Sequence, residues 1–367
     1  MGSDHDAAYM KMALVEARKG LGKTAPNPCV GAVVVQRGRV VGKGWHRRAG
    51  TPHAEIHALA AAGAAAARAT IYVTLEPCNH HGRTPPCSEA IIAAGISRVV
   101  FALSDPNPVA GGGAARLAQA GIAVRGGVLA EESQRLNRPF LKRVNTGLPW
   151  VLLKAAVSLD GRIATAGGHS KWITGEQSRR LAHRMRARSD AILVGIGTVL
   201  ADDPALTTRL PGGRGGDPLR VVLDSRLQTP PTARIINRAS PAETWIFCGR
   251  EADPVRSEAL QAAGARILPV DQVAAPAIGL DLRQVLLKLA QAGIGNLLVE
   301  GGGRVHGSFL AQELADEAAF FIAPLLVGGD GLPAVGPLAL ARIDQAPRLR
   351  EVTTRRLGND ILIRGLL

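Results

Sequence analysis

Three residue types recur at spacings that could hold a metal. The stretch TPHAEIHALA, residues 51–60, sets His53 two positions before Glu55 at what reads as the first turn of a helix, with Thr51 as its cap and Pro52 at its first position. Downstream, LEPC brings Cys78 to the end of a strand, and PPCSEA opens a helix with Cys87, where the helix dipole favours the thiolate. One imidazole and two thiolates make three ligands. Zinc takes four, so a centre built from His53, Cys78 and Cys87 keeps a position for water, as catalytic rather than structural sites do. Such an ion lowers the pKa of its water from about 15.7 to about 7, and Glu55 beside it could carry the released proton to a ring nitrogen and a departing amine. Singly, each residue has a bland reading: the histidine as a polar side chain with a local partner, each cysteine as a small core residue. Their conjunction, each at the edge of an element, favours the metal. Cys29 and Cys248 lie inside apolar runs and read as core.

A second constellation is NLLVEGGGRVHGSFL, an apolar strand ending in Glu300, then three glycines, then an amphipathic helix. Backbone amides at such a helix start form an anion nest that suits a cofactor diphosphate. A tight turn explains the glycines as well, and the run is not the G-x-G-x-x-G of a dinucleotide fold. The densest basic run, RRLAHRMRARSD at 179–190, reads either as a solvated helix face or as a partner for anions.

These groups need a frame. Strand and helix signals alternate from VGAVVV and GRVVGKGWH, a hairpin, through TIYVTLEP, CSEAIIAAG and RVVFALSDP to AVRGGV, which predicts an α/β layer with a parallel part. Turn residues cluster at NTGLP, 145–149, and the pattern restarts with WVLLKAAVS, so the expected domains are 1–147 and 148–367. Within the second, DDPALTTRLPGGRGGDP predicts a surface loop. The net charge of +14 would attract anions. Nucleic acid is not the expected partner, because the arginines are scattered and aromatic residues are only 3% of the chain, too few for base stacking. Four cysteines are too few for a disulfide framework, and there is neither a signal-peptide pattern nor an apolar run of membrane length. A cytoplasmic protein with no membrane partner is expected.

NPCVGAVVV, PHAE, LEPCNHHGRTPPC and DPNP together closely resemble the deaminase domain of the bifunctional riboflavin-biosynthesis enzymes. VSLDGRIATAGGHSKWIT, VLADDPALTTR and LVEGGGRVHGSF are similar to the reductase domain of that family. The general pattern of zinc nucleobase deaminases is H-x-E followed by P-C-x-x-C; here eight residues separate the cysteines. That longer loop and SLDGR argue against the alternative, a tRNA adenosine or cytidine deaminase fused to an unrelated nucleotide-binding domain.

The resemblance implies a cytidine-deaminase-like three-layer α/β domain followed by a dihydrofolate-reductase-like α/β domain. It also implies Zn2+ and NADPH as cofactors, and a homo-oligomer, dimer or tetramer. The implied substrate is a phosphorylated pyrimidine, a diaminohydroxy-phosphoribosylaminopyrimidine, deaminated on the ring and then reduced from ribosyl to ribityl. It makes His53, Cys78 and Cys87 the zinc ligands and Glu55 the proton carrier, with Asn27, His46, His80, Arg83 and Asp105 holding the pyrimidine and its ribose phosphate. In the second domain it assigns Ala156, Trp172, Thr198, Asp202, Ser225 and the run Gly302, Gly303, Arg304, Val305, His306, Gly307 and Ser308 to the cofactor. Ser170, Arg186, Leu206, Arg209 and Glu300 fall to the substrate, the two arginines as partners of its phosphate. One departure is VAGGGAA after DPNP, which lacks the lysine that the family pattern places among these glycines.

Overall fold

The computed structural model describes residues 3–81, 85–213, 215–236, 240–273 and 279–367. The chain divides into two compact units, Met1–Gly147 and Leu148–Leu367. Helix α6 (Arg138–Thr146) runs through part of the predicted turn cluster and ends at Gly147, whose φ of 73° a glycine adopts without strain.

In the first unit, α1 (Ser3–Ala17) precedes a hairpin of β1 (Gly31–Gln36) and β2 (Arg39–Trp45). Then come α2 (Ala54–Ala62), β3 (Thr70–Leu75), α3 (Cys87–Ala93), β4 (Arg98–Leu103), α4 (Gly113–Gln119), β5 (Ala123–Arg125) and α5 (Ala130–Leu136). The sheet order is β2-β1-β3-β4-β5. Pairing is antiparallel across β2, β1 and β3, and parallel from β3 to β5. Strand alternation makes the layers: Ala32 and Val34 face a core shared with Ala54, Ala58, Ile91 and Leu117, whereas Val33 and Val35 face Met10 and Ala13 of α1. The result is the expected three-layer unit. α2 lies hard against β2, because a Cβ on Gly42 or Gly44 would stand 2.2 Å from the carbonyls of Ala58 and Ala54. That contact fixes where α2 begins.

The second unit holds β6 (Trp150–Val157), β7 (Arg162–Ala164), α7 (Glu176–Arg186), β8 (Ala191–Gly195), α8 (Ile196–Asp202), β9 (Leu219–Leu223), β10 (Thr244–Gly249), α9 (Pro254–Ala263) and β11 (Arg266–Val270). It continues with β12 (Gln272–Val273), β13 (Gly279–Leu280), α10 (Leu282–Gln291), β14 (Asn296–Val299), α11 (Gly303–Ala311), β15 (Glu317–Ile322), β16 (Leu332–Pro333), β17 (Arg350–Leu357) and β18 (Asp360–Leu366). Nine strands form one sheet in the order β11-β10-β9-β8-β14-β6-β15-β18-β17. It is parallel as far as β15, and antiparallel from β15 through β18 to β17. Ile192, Val194 and Leu298 face Met185 of α7 and Val199 of α8 on one side; Leu193, Leu297 and Val299 face α10 and Phe309 of α11 on the other. Parallel strands buried on both faces gather their C-terminal ends at one edge, where ligands of such sheets bind.

Candidate active sites

His53 has extended backbone (φ −73°, ψ 169°) and is the N-cap of α2, one residue before the first turn in which it was expected; Glu55 lies in that turn. The cap is not Thr51, whose hydroxyl turns back to the Arg48 carbonyl at 2.7 Å. Cys78 stands three residues beyond the end of β3 rather than on the strand, and Cys87 is the first residue of α3 as expected.

His53 Nδ1 lies 3.3 Å from Cys87 Sγ and 3.5 Å from Cys78 Sγ, and the three ligand atoms are within 4.8 Å of one another. Zn–N of about 2.05 Å and Zn–S of about 2.3 Å at a tetrahedral angle place N and S roughly 3.6 Å apart. The two nitrogen–sulfur separations are therefore close to the edge length of a zinc tetrahedron. The Cys87 main-chain N–H points to Cys78 Sγ at 3.4 Å. The Cys87 thiol, then His53 against the cost of burial, draws the Cys78 pKa down to about 4; Cys87 keeps the proton the pair shares, and burial pushes it up further. A divalent cation is the partner that would let both be thiolates.

Glu55 is 4% exposed, and its Oε2 is buried without a hydrogen-bond partner. Burial pushes its carboxyl up to about 7. An orphaned carboxyl oxygen beside three metal-type donors is what a site built for a metal and a proton-bearing ligand requires.

Asn27, His46, His80 and Asp105 line one cavity of about 400 Å³ with His53, Glu55 and Cys78. Buried His46 has its Nε2 3.1 Å from Asn27 Nδ2 and its Nδ1 3.3 Å from the Pro52 carbonyl. The Asn27 amide donates to Nε2, so the Nδ1–H tautomer is held, and burial lowers the ring's pKa. His80 Nδ1 is buried and unpartnered. Burial also raises Asp105. Arg83 lies outside the described residues. Sequence reasoning missed Glu76, although the LEPC motif contains it: its carboxylate accepts the Asp105 N–H at 3.3 Å and the Ala114 N–H at 2.9 Å, tying the DPNP loop to α4. Next to it, Asn79 N–H donates to the Ala110 carbonyl at 3.0 Å, so VAGGGAA is pressed against the Cys78 loop.

The second site lies at the C-terminal ends of β6 and β14, in a cavity of about 280 Å³. Ala156, Ser170, Trp172, Arg186, Thr198, Asp202, Arg209, Glu300 and Gly302 all line it. Ser170 Oγ donates to Asp202 Oδ1 at 3.4 Å. Trp172 is 68% exposed, with the Arg179 guanidinium 4.5 Å over its ring, so it is no core residue. A Cβ on Gly302 would meet nothing nearer than Thr198 Oγ1 at 3.9 Å, which leaves its backbone open to a ligand at the N-terminus of α11.

Several expectations shift here. Arg186 was expected on a phosphate, but its Nε and Nη2 donate to both oxygens of Glu300 at 2.9 and 2.8 Å, and its Nη1 to the Thr207 carbonyl at 3.1 Å. Burial would raise Glu300; the charges of Arg186 and Lys154 outweigh it and hold the carboxyl well below the usual carboxylate range. The Leu206 side chain is 4% exposed in the core rather than in the cavity. Of the α11 run, only Gly302 lines the cavity. Gly303, His306 and Gly307 are buried against residues 333–336, with His306 Nδ1 2.9 Å from the Ala334 carbonyl, because glycines on that face admit the neighbouring backbone. Ser225, Arg304, Val305 and Ser308 are not among the lining residues either. Conversely, Lys154 lines the cavity without having been singled out, and Arg179 and His183 bring the basic run at 179–190 to it.

Comparison with known proteins places both halves. Residues 3–103 match the cytidine and deoxycytidylate deaminase zinc-binding region, and residues 149–363 match the RibD C-terminal domain. The riboflavin biosynthesis protein RibD of Bacillus amyloliquefaciens is 44% identical over 362 residues, covering 98% of this chain and 95% of that protein. Among solved structures, RibD of Acinetobacter baumannii superimposes with a TM-score of 0.89 at 37% identity, covering 100% of this chain and 99% of the other. The Thermotoga maritima diaminohydroxyphosphoribosylaminopyrimidine deaminase/5-amino-6-(5-phosphoribosylamino)uracil reductase does so with 0.86 at 36% identity, covering 99% and 98%. A zinc-type donor triangle in one unit and a strand-end cavity beside an open helix N-terminus in the other thus sit in a chain that belongs, along its whole length, to the RibD family of riboflavin biosynthesis proteins.

Proposed function

We propose that the first unit deaminates a diaminohydroxy-phosphoribosylaminopyrimidine and that the second reduces the ribosyl side chain of the product to ribityl with NADPH. The observation that carries the first step is the triangle of His53 Nδ1, Cys78 Sγ and Cys87 Sγ next to the unpartnered Glu55 Oε2. Those three residues would hold zinc, which when bound supplies the Lewis acidity that makes water nucleophilic near neutral pH. Glu55 Oε2 relays both protons of the attacking water: the first to the ring nitrogen as the oxygen bonds to the ring carbon, the second from the resulting hydroxyl to the amine, which leaves as ammonia while the carbonyl forms. Asn27, His46 and Asp105 face the pyrimidine edge, with His46 locked by Asn27 as a neutral ring, and His80 offers its free nitrogen to the ligand.

In the second unit, Gly302 and the start of α11 would hold the cofactor diphosphate, Thr198 flanks it, and NADPH supplies hydride when bound. Asp202, whose Oδ1 accepts the Ser170 hydroxyl, is the ionisable group we place beside the nicotinamide ring. Arg209 takes the substrate phosphate, and Glu300 the sugar hydroxyls. No described helix is long and apolar enough to cross a membrane, and all four cysteines are buried. Both fit the reading of a cytoplasmic enzyme; from the family resemblance we take it to work as a dimer or tetramer. Supplying the deaminated ribosylaminouracil phosphate with NADPH should give oxidation at 340 nm, and supplying the diamino precursor should give the same after release of ammonia. Well-folded protein that turns over neither substrate would overturn the reading.

A further inference from the structure

Arg179, His183 and Arg186 stand four and three positions apart, which puts them on one face of α7. All three line the second cavity. Arg184 lies exposed on another face. The inner face does more than present charge. Residues 207–209 cross it, and two side chains of α7 hold that crossing by its main chain: Arg186 Nη1 donates to the Thr207 carbonyl at 3.1 Å, and His183 Nδ1 accepts the Arg209 N–H at 3.3 Å. Between them, Thr208 N–H donates to Asp217 Oδ1 at 2.6 Å, and on the near side Leu206 is sunk in the core. Four consecutive residues are thus fixed, and the last is the arginine that faces the ligand.

We propose that His183 is a positioning residue for phosphate recognition in the reductase site: by accepting the Arg209 main-chain N–H, it holds the arginine where its guanidinium meets the substrate phosphate. The proposal rests on the reading of this cavity as the reductase site. Accepting that N–H requires an unprotonated Nδ1. Burial, then the charges of Arg186 and Arg209, which outweigh Glu300, push the His183 pKa down to about 4, so the lone pair is available throughout the neutral range.

The test is the full chain with zinc, assayed for NADPH oxidation with the phosphorylated ribosylaminouracil. His183→Leu removes the acceptor, and KM for the phosphorylated substrate should rise about ten-fold, the worth of one hydrogen bond of about 1.4 kcal/mol. kcat and the KM for NADPH should stay within about two-fold. In His183→Asn, Oδ1 can occupy the place of Nδ1, and KM should return to within about three-fold of the unaltered chain. Should His183→Leu fail to fold, His183→Gln, whose acceptor is displaced by one methylene, takes its place with the same expected rise. An unmoved substrate KM, a parallel rise in the KM for NADPH, or an Asn variant as impaired as the Leu or Gln variant would overturn the positioning role. An unaltered chain that oxidises no NADPH would instead remove the reductase reading itself, and with it this proposal.

Discussion

Arg186 and Glu300 meet fork to fork at the wall of the second cavity, with Nε to Oε1 at 2.9 Å and Nη2 to Oε2 at 2.8 Å. Their side chains are 14% and 9% exposed, and Lys154 Nζ approaches the same carboxylate at 3.6 Å. Removing one partner of a buried pair leaves the other charge uncompensated, which typically costs about 3–5 kcal/mol. Because Lys154 remains beside Glu300, Arg186→Met should fall at the low end, about 3 kcal/mol, or a Tm lower by roughly 6–12 °C for a unit of this size. Differential scanning calorimetry checks this. A transition within about 2 °C of the unaltered one would mean that the pair does not hold the site together.

Glu55→Gln keeps every metal ligand and deletes the proton carrier. Zinc content by elemental analysis should match the unaltered chain, whereas the deamination rate should fall about 10²- to 10⁴-fold. Stripping zinc with a chelator, or Cys87→Ser, should abolish deamination by the other route, through loss of metal, while NADPH oxidation with the deaminated substrate continues. Retained deamination in Glu55→Gln would reassign the proton to another group, and loss of both activities on chelation would show that the two units do not work independently.

How much of this was legible in the sequence depends on what each signal encodes. His53, Cys78 and Cys87 could be read because metal donors are rare side chains whose chemistry survives loss of context. Their exact placement could not: whether His53 caps α2 or enters it is decided by the seat of α2 on Gly42 and Gly44 of β2, a contact between segments. In the second unit nine of the residues that the resemblance names line one cavity, yet it could not show that Arg186 is already spent on Glu300. Nor does a glycine-rich run say which glycine faces a ligand and which faces a neighbouring strand. His183 and Lys154 carried no motif; their role appears only when α7 and β6 are folded against the same cavity.

Gly302 and Gly303 separate those two uses of glycine one residue apart. A Cβ at 302 enters open space beside Thr198, whereas at 303 it would lie 2.3 Å from the Pro333 carbonyl. Gly302→Ala should therefore leave Tm within about 2 °C and weaken NADPH binding about ten-fold by fluorescence titration, since the methyl occupies the approach of the diphosphate. Gly303→Ala should lower Tm by several degrees, because backbone must move to admit it. The reverse pattern would place the cofactor on the other side of α11.

His183 also gives the second unit a pH dependence whose sign follows from its environment. An unfolded imidazole titrates near about 6.5, while burial, with Arg186 and Arg209 next, brings the folded ring down to about 4. Between those values the unfolded chain binds a proton that the folded chain does not. The contribution is therefore complete above about pH 6.5 and is lost as pH falls toward about 4. The amide introduced by His183→Asn has no proton to bind, so the Tm of that variant should fall less steeply than that of the unaltered chain between about pH 7 and pH 4.5. His46, His57 and His306, whose pKa values are lowered too, act equally on both proteins and cancel in the difference. Parallel curves would mean that the folded ring titrates as the unfolded one does, near about 6.5, so that burial and the neighbouring arginines do not keep Nδ1 free to accept the Arg209 amide below that pH.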